Sequence, residues 1–145
     1  MSISYNKLAK DYLTVNASHI VFPAGPERIH YEMFLRSLNG LSKTLRRDMY
    51  NLQDPGSIVK DVPDPDPLGS IRYSCVFWVD HLCNADDQSL DHRKELSDDG
   101  AIFTFLREHF LHWLESLSLI HKLSDGVLSI RNLLQVCHIP RAIAF

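Results

Sequence analysis

The sequence has no concentration of Lys and Arg beyond the Arg46-Arg47 pair, and its formal net charge is −3. It therefore lacks the basic footprint by which proteins neutralise nucleic-acid phosphates, and no nucleic-acid partner is expected. No apolar run reaches the roughly 18 residues needed to span a bilayer. Met1 to Lys10 mixes Ser, Asn and Lys with its apolar positions, unlike the unbroken apolar stretch of a secretory signal. We expect no membrane partner and a cytoplasmic location. Cysteine is scarce and odd in number: Cys75, Cys83 and Cys137 lie in apolar surroundings. That suits reduced thiols packed as small hydrophobes better than a disulfide framework. Also missing are a G-x-x-x-x-G-K-[ST] phosphate loop, a Ser or Cys nucleophile in a recognisable elbow, and an internal repeat.

What the sequence does have is enough apolar material, 45% of 145 residues, to fill one core without disulfides or metal. Most of it is arranged at helical spacing. Ile3 to Val15 reads as a short helix, and His19 to Phe22 as a connector closed by Pro23-Ala24-Gly25-Pro26. From Glu27, the positions Ile29, Met33, Phe34, Leu38, Leu41, Leu45, Met49 and Leu52 recur every three or four residues. The apolar phase carries through Asn39-Gly40, so we expect one helix with a weak point, ended by Asp54-Pro55-Gly56.

Val62 to Pro67 alternates proline with aspartate and reads as an extended, solvated spacer. Ser70 to Leu82 places Ile71, Cys75, Trp78, Val79 and Leu82 on one face, with Tyr73 and Phe77 widening it. Asn84 to Asp99 is polar and reads as a surface loop leading to an N-cap at Ser97 or Asp98. The clearest helix follows, with a stripe of Phe103, Leu106, Phe110, Trp113, Leu117 and Ile120. A last short helix, capped by Ser124-Asp125, carries Val127, Ile130, Leu134 and Cys137 and is expected to end at Pro140.

Three of these segments carry a likeness. The run Ile71-Arg72-Tyr73-Ser74-Cys75-Val76-Phe77-Trp78-Val79-Asp80-His81-Leu82 resembles the Y-x-C-x-[FY]-W-x-x-H-L segment of fungal NACHT-domain proteins. These are STAND-type signalling NTPases of the vegetative-incompatibility kind. The run from Phe105 to Leu119 is similar to that family's F-L-x-x-x-x-L-x-W-L-E-x-L-S-L helix, in the expected order. The helix from His30 to Leu52, with its Asp54-Pro55-Gly56 exit, is similar to the family's preceding helix. The likeness covers about residues 27 to 136. It implies a helical region following the nucleotide-binding core, one that relays or restrains and does not catalyse. None of the family's catalytic motifs is present in the chain, so no catalytic residue and no NTP hydrolysis carry over. His138 to Phe145 depart from the family, which suggests a truncated gene product or an excised module.

Other constellations weigh less. Trp78 and Trp113 sit on apolar stripes and read as core. His109 and His112, three apart on one helical face beside Glu108, form a possible zinc grip. The zincin order of His, Glu and a second His at i+4 is absent, so surface or half-buried histidines are the better reading. Asp80 and His81 are helix neighbours pointing about 100° apart and share a site poorly. Finally, the 101–120 helix is more hydrophobic than one face needs: Ile102, Phe105, Leu111 and Leu114 lie off its main stripe, a surplus expected to dock on another surface.

The reading is thus an all-α chain, a small bundle or array of four to five helices with a Pro/Asp-rich connector. Its divisions are 1–26 as an ill-defined N-terminal segment, 27–137 as a helical domain and 138–145 as a tail. The expected role is that of a non-catalytic regulatory or protein-interaction module with no cofactor. Its partner is a neighbouring domain, another protein or a second copy, met through Ile102, Phe105, Leu111 and Leu114. The alternative is a small metal-binding protein or enzyme using His109 and His112.

Overall fold

The structure is a computed structural model that describes residues 25–143 except 55, 87 and 88, with side chains to residue 137. The expected helix at Ile3 to Val15 and the connector at His19 to Phe22 lie outside the described residues. Five helices follow one another: α1 (Pro26–Thr44), α2 (Arg72–Asn84), α3 (Leu90–Glu95), α4 (Ala101–Leu119) and α5 (Leu123–Ile143), with no strand among the described residues. The all-α architecture is the one the helical periodicity predicts.

Helix α1 opens with Pro26 in its first turn, where a missing N–H costs nothing, and with Glu27 near its positive end. It buries Tyr31, Phe34, Leu38 and Leu41 along one side and runs unbroken through Asn39-Gly40. It stops at Thr44, short of the expected Leu52, because Leu45 turns extended. Leu45, Met49 and Tyr50 still reach the core, but from a tight loop. There Asp48, with φ of 56°, turns its carboxylate onto the backbone N–H groups of Leu52 and Gln53, at 2.7 and 3.0 Å. An aspartate satisfying nearby backbone donors competes with the helix for them.

The Pro/Asp connector then crosses to α2. Oδ1 of Asp66 accepts from the Leu68 N–H at 2.9 Å. Its Oδ2 accepts from Nε and Nη2 of Arg72 at 2.8 and 2.6 Å, and Arg72 also donates to the Tyr50 hydroxyl at 3.1 Å. Burial opposes ionisation of Asp66, but Arg72, Leu68 and Tyr50 outweigh it and hold the carboxyl below the usual aspartate range.

Helix α2 is the central element, packed against α1, α4 and α5. Its Trp78 is fully buried and meets Phe34 of α1 and, edge to face, Phe105 and Trp113 of α4, at centroid separations of 6.3, 5.4 and 5.5 Å. The Trp113 indole N–H donates to the Cys75 carbonyl at 2.9 Å. Both tryptophans are core, as their stripes predict, and each contributes a few kcal/mol, about 2–3, on burial. Cys75 lies among them, and burial pushes its thiol up to about 12. Tyr73 and Phe77, expected to widen the buried face, are instead substantially exposed.

Two further expectations are corrected. The polar stretch read as a surface loop contains α3, capped by the Ser89 hydroxyl, which accepts from the His92 N–H. The His92 imidazole is buried within reach of the Leu82 carbonyl. Helix α5 does not end at Pro140 but continues to Ile143.

Candidate interaction surface

Helix α4 positions most of the sequence-derived candidates. Its N-cap is Gly100, not Ser97 or Asp98, and no side chain caps it locally. Instead the Glu95 carboxylate, at the end of α3, accepts the Ala101 N–H at 3.3 Å. A Cβ on Gly100 would lie 2.3 Å from the Glu95 carbonyl oxygen, so only glycine lets α3 and α4 approach so closely. The Tyr31 hydroxyl donates to the same Glu95 at 3.4 Å, tying α1 to the junction.

This anchoring fixes which way α4 faces, and its buried side differs from the expected stripe. Ile102 and Phe105, read as a docking surplus, are 4% and 2% exposed and belong to the core. Phe103, read as core, is 48% exposed. Leu114 is half-buried against the core, and Leu111 is 75% exposed. Of the four interaction candidates, Leu111 alone stands fully on the surface, with Leu114 at its margin.

Leu111 has charged and small neighbours. Arg107, four residues before it, extends over the Phe103 ring and touches Glu108. Glu115, four residues after it, receives the Asp48 N–H on both carboxylate oxygens at 3.2 Å. Beside Glu115 a shallow cleft of about 280 Å³ opens between α4 and the loop after α1. Its lining includes Arg47, Asp48, Asp54, Glu115, Ser118 and Leu119.

The histidines divide in two. His109 and His112 have ring centroids 5.8 Å apart, and the Nδ1 atom of each is buried without a hydrogen-bond partner. No group of three or more His, Cys, Asp or Glu side chains able to hold a metal ion occurs among the described residues. His81, by contrast, sits in a chain of contacts that sequence reasoning missed. Its Nδ1 lies 2.9 Å from Nδ1 of His30 on α1, and its Nε2 lies 2.7 Å from the Tyr73 hydroxyl. Burial and His30 lower the His81 pKa, with Asp80 opposing. Tyr73 and His81, eight apart on α2, were readable as one side of a helix, whereas nothing local in the sequence points to His30. Glu115 and Asp48, 67 residues apart, were equally invisible.

No family model matches the chain, and no solved structure matches it. Among curated proteins it is 44% identical, over 140 residues, to the vegetative incompatibility protein HET-E-1 of Podospora anserina. The match takes in 86% of this chain and 10% of that protein. The chain is thus similar to a segment of a fungal vegetative incompatibility protein and spans about a tenth of its length.

Proposed function

We propose that this chain is a non-catalytic regulatory module that works by docking, comparable to the helical region following the NACHT nucleotide-binding domain in fungal signalling NTPases. The observation that carries the reading is the 44% identity to a segment of a much longer incompatibility protein. Such a module has a core of its own and one face for its surroundings. The core is the Trp78–Phe105–Trp113 cluster, and the face is that of α4 around Leu111, with Leu114 at its edge. An exposed leucine beside charged residues suits a protein surface, where a small apolar centre is ringed by polar contacts. In this reading the chain hydrolyses nothing, binds no cofactor, and restrains or relays the state of what it touches.

The test is binding in trans. The chain is titrated, by calorimetry, into the HET-E-1-like relative lacking its matching segment. Saturable binding is expected, weakened at least about tenfold by Leu111→Lys, as loss of one central apolar contact implies. Absence of binding, together with absence of hydrophobic-dye binding by the free chain, would sink the proposal.

A further inference from the structure

The same face has a property that a generic docking surface does not need: it is complementary to itself. Successive residues of an α-helix turn by about 100°, so positions four before and four after Leu111 lie about 40° to either side of it. Those positions are Arg107 and Glu115. Seven residues before and after Leu111, closer still to the centre line, are Thr104 and Ser118, both small. Reversing the helix about Leu111 therefore exchanges Arg107 with Glu115 and Thr104 with Ser118. A face that carries opposite charges at mirrored positions around an exposed leucine matches an antiparallel copy of itself.

We propose that two copies of this chain pair through α4, antiparallel, on a two-fold axis at Leu111. The inference rests on the docking reading above and names its occupant. Leu111 meets Leu111 of the second copy, and Arg107 of each copy faces Glu115 of the other, twice. Thr104 and Ser118 let the backbones come close. The cleft beside Glu115, whose lining sets the carboxylates of Asp48 and Asp54 against the one cation of Arg47, is where the incoming guanidinium of Arg107 is received. Glu115 is already oriented for that contact by the Asp48 N–H. One helix face offers less than the roughly 800 Å² per partner of a standard interface, so the pair is weak, with a Kd on the order of 100 µM.

Sedimentation velocity of the purified chain over a concentration series is expected to show a reversible monomer–dimer equilibrium. Arg107→Glu places two like-charge pairs in the dimer, and so does Glu115→Arg; each is expected to weaken pairing about tenfold or more. An equimolar mixture of the two variants keeps one native pair and creates one inverted pair, so it is expected to dimerise where neither variant does alone. Circular dichroism checks that Glu115→Arg, which gives up the Asp48 contact, still folds. A second arm does not depend on that variant. Leu111→Cys in a Cys83→Ser background is expected to be captured as a dimer by a short bis-maleimide, whereas Leu134→Cys, also exposed but on α5, is not.

A wild-type chain that stays monomeric, or a variant mixture that fails to dimerise while Leu111→Cys is not captured, overturns the self-pairing. If the monomer nevertheless binds the relative in trans through Leu111, the docking reading stands and only its occupant was wrong. If it binds neither the relative nor a hydrophobic dye, both readings fall.

Discussion

Phe105 and Leu111 are both apolar residues of α4, six positions apart, and they separate what stabilises this chain from what it presents. Phe105 packs on Trp78 and is almost wholly buried, so Phe105→Ala is expected to cost about 3–5 kcal/mol through lost burial and a cavity. Leu111→Ala removes exposed surface and is expected to change stability by less than about 0.5 kcal/mol. Urea unfolding of the two variants decides it; comparable losses would mean that Leu111 is core and that the surface assignment is wrong.

The imidazole of His81 supplies a second test. Its native pKa lies below the ordinary value of 6.5, because burial and the facing His30 disfavour a second positive charge. The unfolded chain therefore takes up a proton, near and below pH 6.5, that the native chain refuses. The stability contribution is fully present above that range and is lost as pH falls through it. The urea midpoint is expected to drop between pH 7.5 and 5, and His30→Gln, which removes the ring that opposes a charge on His81, is expected to flatten the drop. An unchanged slope in that variant would remove the His30–His81 contact as its source.

Among the helices, two glycines make opposite predictions. Gly40 lies inside α1 with nothing within 4 Å of where a Cβ would stand, so Gly40→Ala is expected to stabilise by about 1 kcal/mol through helix propensity. Gly100 stands against two carbonyl oxygens of α3, so Gly100→Ala is expected to destabilise and to loosen the Glu95 contact at the start of α4. Thermal unfolding of the pair reads both signs, and an equal effect at the two sites would contradict the close approach of α3 and α4.

How far the elements were legible follows from the same particulars. Helices α1, α2 and α4 were readable because one apolar face repeats over three or more turns. The end of α1 was not, because Leu45 and Met49 keep the apolar spacing while a side-chain contact at Asp48 reroutes the backbone. Six residues are too few for α3 to show a period, and its burial rests on a histidine. The facing of α4 was misjudged because the helix is apolar on several sides, so the pattern permits more than one rotation. Contacts with α3 and Trp78 select the one that buries Ile102 and Phe105 and leaves Leu111 outside. What the sequence could give of the interaction site was therefore the helix, and only part of its outward face.

At the scale of the whole chain, Trp78 and Trp113 sit where α1, α2 and α4 converge. Their fluorescence consequently reports on the common core. Unfolding followed by tryptophan emission and by far-ultraviolet circular dichroism is expected to give superimposable transitions, as a single cooperative core requires. Separated midpoints would divide the helices into independent units. The helical content and the buried tryptophans were legible from the sequence, whereas the long-range ties that close the core, Trp113 to Cys75 and Glu115 to Asp48, link residues that no local pattern connects.

The long connection between α1 and α2 is fastened near both ends, by Asp48 to Glu115 on one side and by Asp66 to Arg72 and Tyr50 on the other. Between the fastenings Ile58 is 84% exposed, and Lys60 and Asp61 lie open to solvent. For the protein engineer this is a natural splice point. A short flexible peptide or an affinity tag threaded between Lys60 and Asp61 would lengthen exposed chain just past the point where Val59 packs on the core, and longer surface loops cost little in closure entropy. The tagged chain is expected to keep its melting temperature to within about 2 °C, whereas the same insertion between Asp66 and Arg72 would pull one fastening apart.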